Sequence, residues 1–97
     1  MPKNYRRGYR AELEAKKRLE AEGFAVIRAA GSKSPFDLVA LDGEVVRFVQ
    51  VKRVKSGNGG LAKVLRELEV VSVPPCARKE IWLWRDREGF VERRVAR

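Results

Sequence analysis

The dipeptide Asp42-Gly43 lies between two apolar runs, and no other feature of the chain constrains the fold as strongly. Asp-Gly favours the tight turn of a β-hairpin, because both central residues of that turn adopt positive φ. The flanking segments, 36–41 and 44–53, are rich in Val, Leu and Phe, as strands are. The pattern therefore predicts two antiparallel strands joined by a short turn.

Helix and strand signals alternate along the rest of the chain. An amphipathic pattern predicts a first helix over 5–22, ended by Gly23, and apolar residues at helical spacing predict a second over 61–71. Three further short apolar runs read as strands: 24–30, 81–84 and 90–95. We therefore predict an α/β fold with a mixed central sheet of about five strands flanked by two helices, in a single domain over residues 1–97.

The charge points to a polyanionic partner. The chain has 97 residues, a formal net charge of +9 and a hydrophobic fraction of 44%, which is ordinary for a folded protein. Such an imbalance favours nucleic acid binding. The alternative is a solvated, Arg- and Glu-rich surface of the kind found in thermophiles. Histidine is absent, so Ser-His-Asp triads, Cys-His nucleophiles and Cys/His zinc sites are excluded.

Further features indicate where the protein acts. Cys76 is the single cysteine, so no internal disulfide can form, which fits a reducing compartment. No apolar run approaches the roughly 18 residues of a membrane span, and the basic start lacks the apolar stretch of a secretory signal. We expect no membrane association and a cytoplasmic location, which would be the host cytoplasm if a virus encodes the chain.

The hairpin places polar side chains on one sheet face. With a two-residue loop, Asp37 faces Phe48 across the ladder, and alternation puts Gln50 and Lys52 on the same face. A loop one residue longer would send Asp37 to the opposite face. The alternative interpretation gives these residues a purely structural role, as a half-buried ion pair between Asp37 and Lys52.

Glu12 favours the interpretation that these polar residues form a catalytic site. It falls near the middle of the apolar arc of the first helix, with Ala11 and Ala15, where an acid is unusual. We expect this helix to cover the face that carries Asp37, so that both carboxylates meet. Two carboxylates and the amide oxygen of Gln50 are hard donors suited to Mg²⁺ or Mn²⁺. Such an ion next to a lysine could support phosphodiester hydrolysis.

These residues, with their neighbours, resemble a known family. Arg7-Gly8 with Glu12, the run Gly23 to Ser32, Asp37-Leu38-Val39-Ala40 and Gln50-Val51-Lys52 are similar to archaeal-type Holliday junction resolvases (Hjc), which belong to the PD-(D/E)XK nuclease superfamily. The resemblance covers about residues 6–55. It implies a restriction-endonuclease-like core, a homodimer, and paired nicks across four-way DNA junctions.

The resemblance also implies roles for single residues. Glu12, Asp37 and Gln50 would be metal ligands, together with the backbone carbonyl of Val51, and Lys52 would be the catalytic lysine. Ser32 would lie near the scissile phosphate. Further contacts to DNA would come from the basic residues Arg6, Arg7, Arg10, Arg28, Lys33, Arg53 and Lys55.

The chain departs from the family pattern at position 50, where the resolvases usually have Glu. Gln supplies an oxygen without a charge, so metal affinity should be lower. Two alternatives to a junction resolvase therefore stay open: a related nuclease acting on other DNA, and a non-catalytic DNA-binding protein with the same fold.

Two other patterns carry less weight. Gly31 to Ser34 is similar to the end of a phosphate-binding P-loop, but the upstream glycine is missing and Pro35 with a strand follows, so we expect a turn without ATP binding. Trp82 and Trp84 could stack on unpaired bases at a branch point. Packing in the core or at a dimer interface is the favoured interpretation of both.

Overall fold

A computed structural model describes the backbone of residues 3–29 and 34–97, and the side chains of those residues from Tyr9 onward. The predicted order of helix, three strands, helix and two strands is confirmed. The elements are α1 Lys3–Ala21, β1 Ala25–Arg28, β2 Leu38–Leu41, β3 Val46–Val54, α2 Leu61–Glu69, β4 Ala77–Arg85 and β5 Gly89–Ala96. No helix in the described ranges is long and apolar enough to cross a membrane.

The five strands form one mixed sheet in the order β1-β2-β3-β4-β5. Neighbouring strands run antiparallel, except that β3 and β4 are parallel. Parallel neighbours need a long crossover, and α2 with its flanking loops provides it. The closing strand β4 begins at Ala77, four residues earlier than the apolar run at 81–84 indicated.

The predicted two-residue hairpin loop is wrong by two residues. Leu41 pairs with Val46, so the loop comprises residues 42–45. The Asp42 carboxylate accepts hydrogen bonds from the backbone N–H groups of Glu44 and Val45, both at 2.9 Å, and this local capping stabilises the longer turn. An even shift leaves the alternation of faces unchanged, and it brings position 50 rather than position 48 alongside Asp37.

The two helices cover opposite faces of the sheet. Buried Ala15 and Leu19 of α1 pack against Leu38, Val49 and their neighbours on one face. Buried residues of α2 pack on the other face, against the side chains of Phe36, Phe48, Ile81 and Ala96. The expectation that α1 covers the face of Phe48 and Gln50 is therefore wrong. Only Glu12 indicated which face of the sheet α1 would cover. Asp37 precedes β2, so its side chain can turn away from the face that alternation assigns to it.

A buried ion pair joins the parallel strands. The Arg47 guanidinium donates two hydrogen bonds to the Glu80 carboxylate, at 2.6 and 2.8 Å, and the Trp82 indole N–H donates a third at 3.1 Å. Burial by itself would raise the pKa of Glu80, but these donors reverse the effect and hold that pKa below its usual value. The charges of Arg47 and Glu80 therefore neutralise each other inside the protein.

Trp82 and Trp84 lie on opposite sides of an irregularity in the sheet, because the ladder between β4 and β5 shifts register between Leu83 and Trp84. Trp82 is fully buried in the α1 core, as the favoured interpretation predicted. Trp84 is only half-buried and borders a groove near the β4–β5 turn. Both indoles make edge-to-face contacts with the ring of Phe90.

Candidate active site

Glu12 is held at the margin of the buried stripe of α1. Ala11 and Ala15, its neighbours on the helix, are completely buried, whereas the Glu12 side chain keeps 20% of its surface exposed. The Arg28 side chain, at the end of β1, donates a hydrogen bond of 2.8 Å to the Glu12 carboxylate. The acid thus lies between helix and sheet with one cation beside it.

Asp37 lies directly before β2 and is anchored to β3 at two points. Its backbone N–H donates to the carbonyl of Val49 at 2.9 Å. Its carboxylate accepts a hydrogen bond of 2.7 Å from the backbone N–H of Val51. The carboxylate is therefore fixed against the backbone of β3, next to the segment that carries Gln50 and Lys52.

Burial, together with the neighbouring Glu12 carboxylate, raises the pKa of Asp37 to about 6. Burial is the largest cause of the increase, and the negative charge of Glu12 and a side-chain hydrogen bond with it add to it. The Val51 N–H and the charge of Arg28 act in the opposite direction. Two acids that share a partly buried site repel each other when both are ionised, and a bound cation relieves that repulsion.

Arg28 belongs to this cluster in the structure. Besides its ion pair with Glu12, its guanidinium lies over the ring of Tyr9, 4.5 Å from the centroid. About a third of its side chain, 32%, is exposed. The sequence predicted only a contact with the DNA backbone. The ion pair escaped prediction because sequence spacing does not indicate which cation faces Glu12.

Gln50 and Lys52 are half-buried on β3. They alternate with Val49 and Val51, whose side chains pack on the α1 face. The stem of Lys52 is close to the loop before α2, because a Cβ atom built on Gly59 would lie 3.1 Å from the Lys52 Cε and would overlap a methyl group of Val54. Gly59 therefore lies against the stem of Lys52, a contact that no sequence pattern indicated.

The predicted DNA contacts have different surroundings. Arg10 and Lys55 line the groove near Trp84. Arg53 instead makes a two-point ion pair with Asp86, at 3.0 and 2.7 Å, and its side chain is only 15% exposed. Ser32 and Lys33, and the side chains of Arg6 and Arg7, lie outside the described part of the chain. The turn at 31–34 is likewise outside it for the most part.

The donors fit a hydrated divalent cation. Within the described ranges no three His, Cys, Asp or Glu side chains gather around one point. Glu12 and Asp37 supply two adjacent carboxylates, and an amide or backbone oxygen from β3 could complete the set. Mg²⁺ binds in this way, through a few oxygen ligands with several waters retained.

Comparisons with known proteins identify the family. Residues 3–69 match the sequence family described as archaeal Holliday junction resolvase (Hjc). The crossover junction endodeoxyribonuclease Hjc of Methanocaldococcus jannaschii is 50% identical over 48 residues, which are 50% of this chain and 36% of that protein. The chain thus spans about a third of the length of this curated relative.

A solved structure gives the same result for the fold. The Holliday junction resolvase Hjc of Archaeoglobus fulgidus superposes with a TM-score of 0.65 at 25% sequence identity, over 87% of this chain and 69% of that one. The mixed sheet with its two helices is therefore a restriction-endonuclease-like fold, as predicted.

Proposed function

Because the chain belongs to the family of archaeal Holliday junction resolvases, we propose that it is a metal-dependent endonuclease that nicks four-way DNA junctions. The reaction is hydrolysis of a backbone phosphodiester by a single nuclease domain over residues 1–97. The observation that carries the proposal is the contact between the carboxylates of Glu12 and Asp37, two partly buried residues that are distant in sequence.

Four groups would hold Mg²⁺, with Mn²⁺ able to substitute: the side chains of Glu12, Asp37 and Gln50, and the carbonyl of Val51. The Val51 N–H keeps the Asp37 carboxylate in place. Arg28 orients the Glu12 carboxylate through its 2.8 Å hydrogen bond. When bound, the cation would neutralise charge on the scissile phosphate and make a water molecule more acidic.

Lys52 is the candidate for handling the proton of the attacking water. Its position two residues after Gln50 puts it on the same face of β3, and the loop at Gly59 restricts its stem. An ammonium group here can also stabilise the negative charge that develops on the phosphate. Ser32 is the proposed contact to the scissile phosphate.

The substrate is recognised through phosphates. Arg6, Arg7, Arg10, Lys33 and Lys55 are the proposed contacts, and Arg28 and Arg53 would add positive field while serving in their ion pairs. We also propose that the protein acts as a homodimer in the cytoplasm, because two copies related by a twofold axis can place one site on each of two opposed strands of a symmetric junction.

Matched substitutions of three acidic residues test the nuclease proposal. Glu12→Gln and Asp37→Asn should each reduce nicking of a labelled four-way junction in Mg²⁺ by at least about a hundredfold, in line with the loss of a charged group that acts on the transition state. Glu20→Gln makes the same chemical change on the same helix, in an exposed i,i+4 pair with Lys16, and should cleave like wild type. Equal activity of all four proteins would contradict the assignment.

Gln50 supports a second candidate, a non-catalytic protein that binds junctions. The substitution of an amide for a charged ligand lowers the charge available to hold a cation. Tight junction binding by the wild type without any cleavage in Mg²⁺ or Mn²⁺ would favour that function. Cleavage of junction and linear duplex at similar rates would favour a related nuclease with a different substrate.

A further inference from the structure

A groove of about 700 Å³ lies between α1, the end of β3 and the β4–β5 turn. Its described lining consists of Arg10, Lys55, Trp84, Asp86, Arg87, Glu88 and Gly89. Arg10 and Lys55 were predicted as DNA contacts from the sequence, and stacking of Trp84 on unpaired bases was the less favoured interpretation of that residue. The structure brings these three together and adds a third cation, Arg87, from the β4–β5 turn.

The charge of this groove is positive once its ion pairs are counted. Asp86 is paired with Arg53 at 2.7 Å, and Glu88 is within 3.4 Å of Arg85. Neither of these arginines is among the lining residues. By contrast, Arg10, Lys55 and Arg87 make no ion pair with any residue in the described ranges. Three cations without internal partners favour an anionic ligand.

Trp84 gives the groove an aromatic wall. The ring of Phe90 meets it edge to face, with centroids 5.0 Å apart and planes at 85°, which restrains its orientation. The indole is half-buried, unlike the completely buried Trp82. A restrained, accessible indole beside unpaired cations is the combination that binds a nucleotide, with the base on the ring and phosphates on the cations.

The groove is close to the candidate active site. The backbone N–H of Asp86 donates to the carbonyl of Val54, two residues after Lys52 on β3. Arg85 donates two hydrogen bonds to the carbonyl of Gly57, at 3.1 and 2.9 Å. The β4–β5 turn is thus tied to the end of β3 and to the loop that contacts Lys52.

We propose that this groove is a binding subsite for an unpaired nucleotide of DNA, in which Trp84 stacks on the base and Arg10, Lys55 and Arg87 bind phosphates. The inference rests on the proposed function for the identity of the polymer. The subsite would hold a strand that leaves the active site near a branch point, where bases lose a stacking neighbour. Trp84 and Arg87 are the residues specific to it.

Tryptophan fluorescence of the wild-type protein provides a direct test. Titration with an oligothymidylate of eight residues in EDTA should quench the emission, because only Trp84 is accessible to a base. Trp84→Phe retains Trp82 and should show no quenching. Absence of quenching in the wild type, or equal quenching in the variant, would overturn the proposal.

Binding affinities provide the second measurement. Trp84→Ala should weaken oligothymidylate binding by about tenfold, within the range expected for loss of one base stack, while binding of a blunt duplex changes less than twofold. Arg87→Ala should weaken both ligands and lower the slope of log affinity against log salt by about one. Arg66→Ala, an exposed arginine on α2, is the control and should leave both affinities unchanged. If Arg87→Ala and Arg66→Ala behave alike, or if Trp84→Ala weakens both ligands equally, the subsite is refuted.

The two proposals fail separately. Quenching by the oligonucleotide without junction cleavage in Mg²⁺ would retain the subsite and remove the nuclease function. Junction cleavage without quenching would retain the nuclease and remove the subsite. Melting temperatures of all variants, compared with wild type, identify any that are unfolded, and the wild-type titration is independent of them.

Discussion

The pKa of Asp37 is raised in the folded protein, and this predicts a specific dependence of stability on pH. Its pKa rises from 3.8 to about 6 on folding. The folded state therefore binds the proton more tightly than the unfolded state, and ionisation of Asp37 reduces stability as pH rises between these values. Above about pH 6 the whole penalty is present.

Asp37→Asn removes this penalty in the metal-free protein. The difference in unfolding free energy, variant minus wild type, should increase as pH rises from about 4 to about 6 and then become constant. Urea denaturation in EDTA at several pH values measures it. Asp42→Asn is the control, because the pKa of the exposed Asp42 is lowered and its difference should not rise across that window. A flat difference for Asp37→Asn would show that folding does not raise the pKa of Asp37.

Gln50 predicts a gain of metal affinity on substitution. Gln50→Glu adds a charge to the proposed ligand set and should raise Mn²⁺ affinity by about tenfold, equivalent to about 1.4 kcal/mol. Gln50→Ala removes an oxygen donor and should lower it. The electron paramagnetic resonance signal of free Mn²⁺ measures both. Identical affinities for all three proteins would exclude position 50 from the ligand set.

The loop between β3 and α2 depends on a close approach of backbone to side chain. Gly59 has φ of +58°, and a Cβ added to it would overlap Val54 and lie 3.1 Å from the Cε atom of Lys52. Any side chain at this point must displace one of them. The loop thus couples the start of α2 to the position of the candidate catalytic lysine, and it does so through a residue that lacks a side chain.

Gly59→Ala should therefore affect both stability and catalysis. We expect a loss of about 1–3 kcal/mol in unfolding free energy from backbone strain and overlap, together with a lower kcat for junction cleavage. Gly57→Ala is the matched control, because its φ is also positive, at +69°, but nothing lies within 4 Å of an added Cβ. It should lose stability while keeping kcat. Equal kcat values for both variants would show that the loop does not position Lys52.

The whole molecule presents a basic surface and a modest core, which is consistent with assembly into pairs. Apolar side chains remain exposed on several elements, among them Ile27 at 57%, Val70 at 83% and Val95 at 60%. A twofold dimer would allow two active sites to act on opposed strands of one junction. The mass of the protein in solution decides whether such pairs form.

Light scattering after size exclusion should give about twice the chain mass of 11.1 kDa at the concentrations that cleave junctions. A mixture of wild type with excess Asp37→Asn should then accumulate junctions nicked on one strand, since mixed dimers carry one active site. A single-chain mass together with full cleavage would contradict the dimer and leave the nuclease site intact.

Local patterns predicted much of this fold. The apolar spacing in α1 and α2, the Asp42-Gly43 turn and the strand runs each depend on neighbouring residues, so the order of elements could be predicted without tertiary contacts. Alternation with period two along β3 places Gln50 and Lys52 on one face. The carboxylate of Asp37, which precedes β2, instead lies against the Val51 N–H and Glu12.

The remaining features depend on contacts between distant segments. Periodicity identifies the buried stripe of a helix but does not reveal which face of the sheet it covers, so α1 was assigned to the wrong one. The ion pair of Glu12 with Arg28, and the approach of Gly59 to Lys52, arise only when separate elements pack together. The groove at Trp84 joins a helix, a strand end and a turn, and no local pattern contains that combination. The sequence by itself therefore determines which chemical groups are available, and the packing of distant segments determines which of them come into contact.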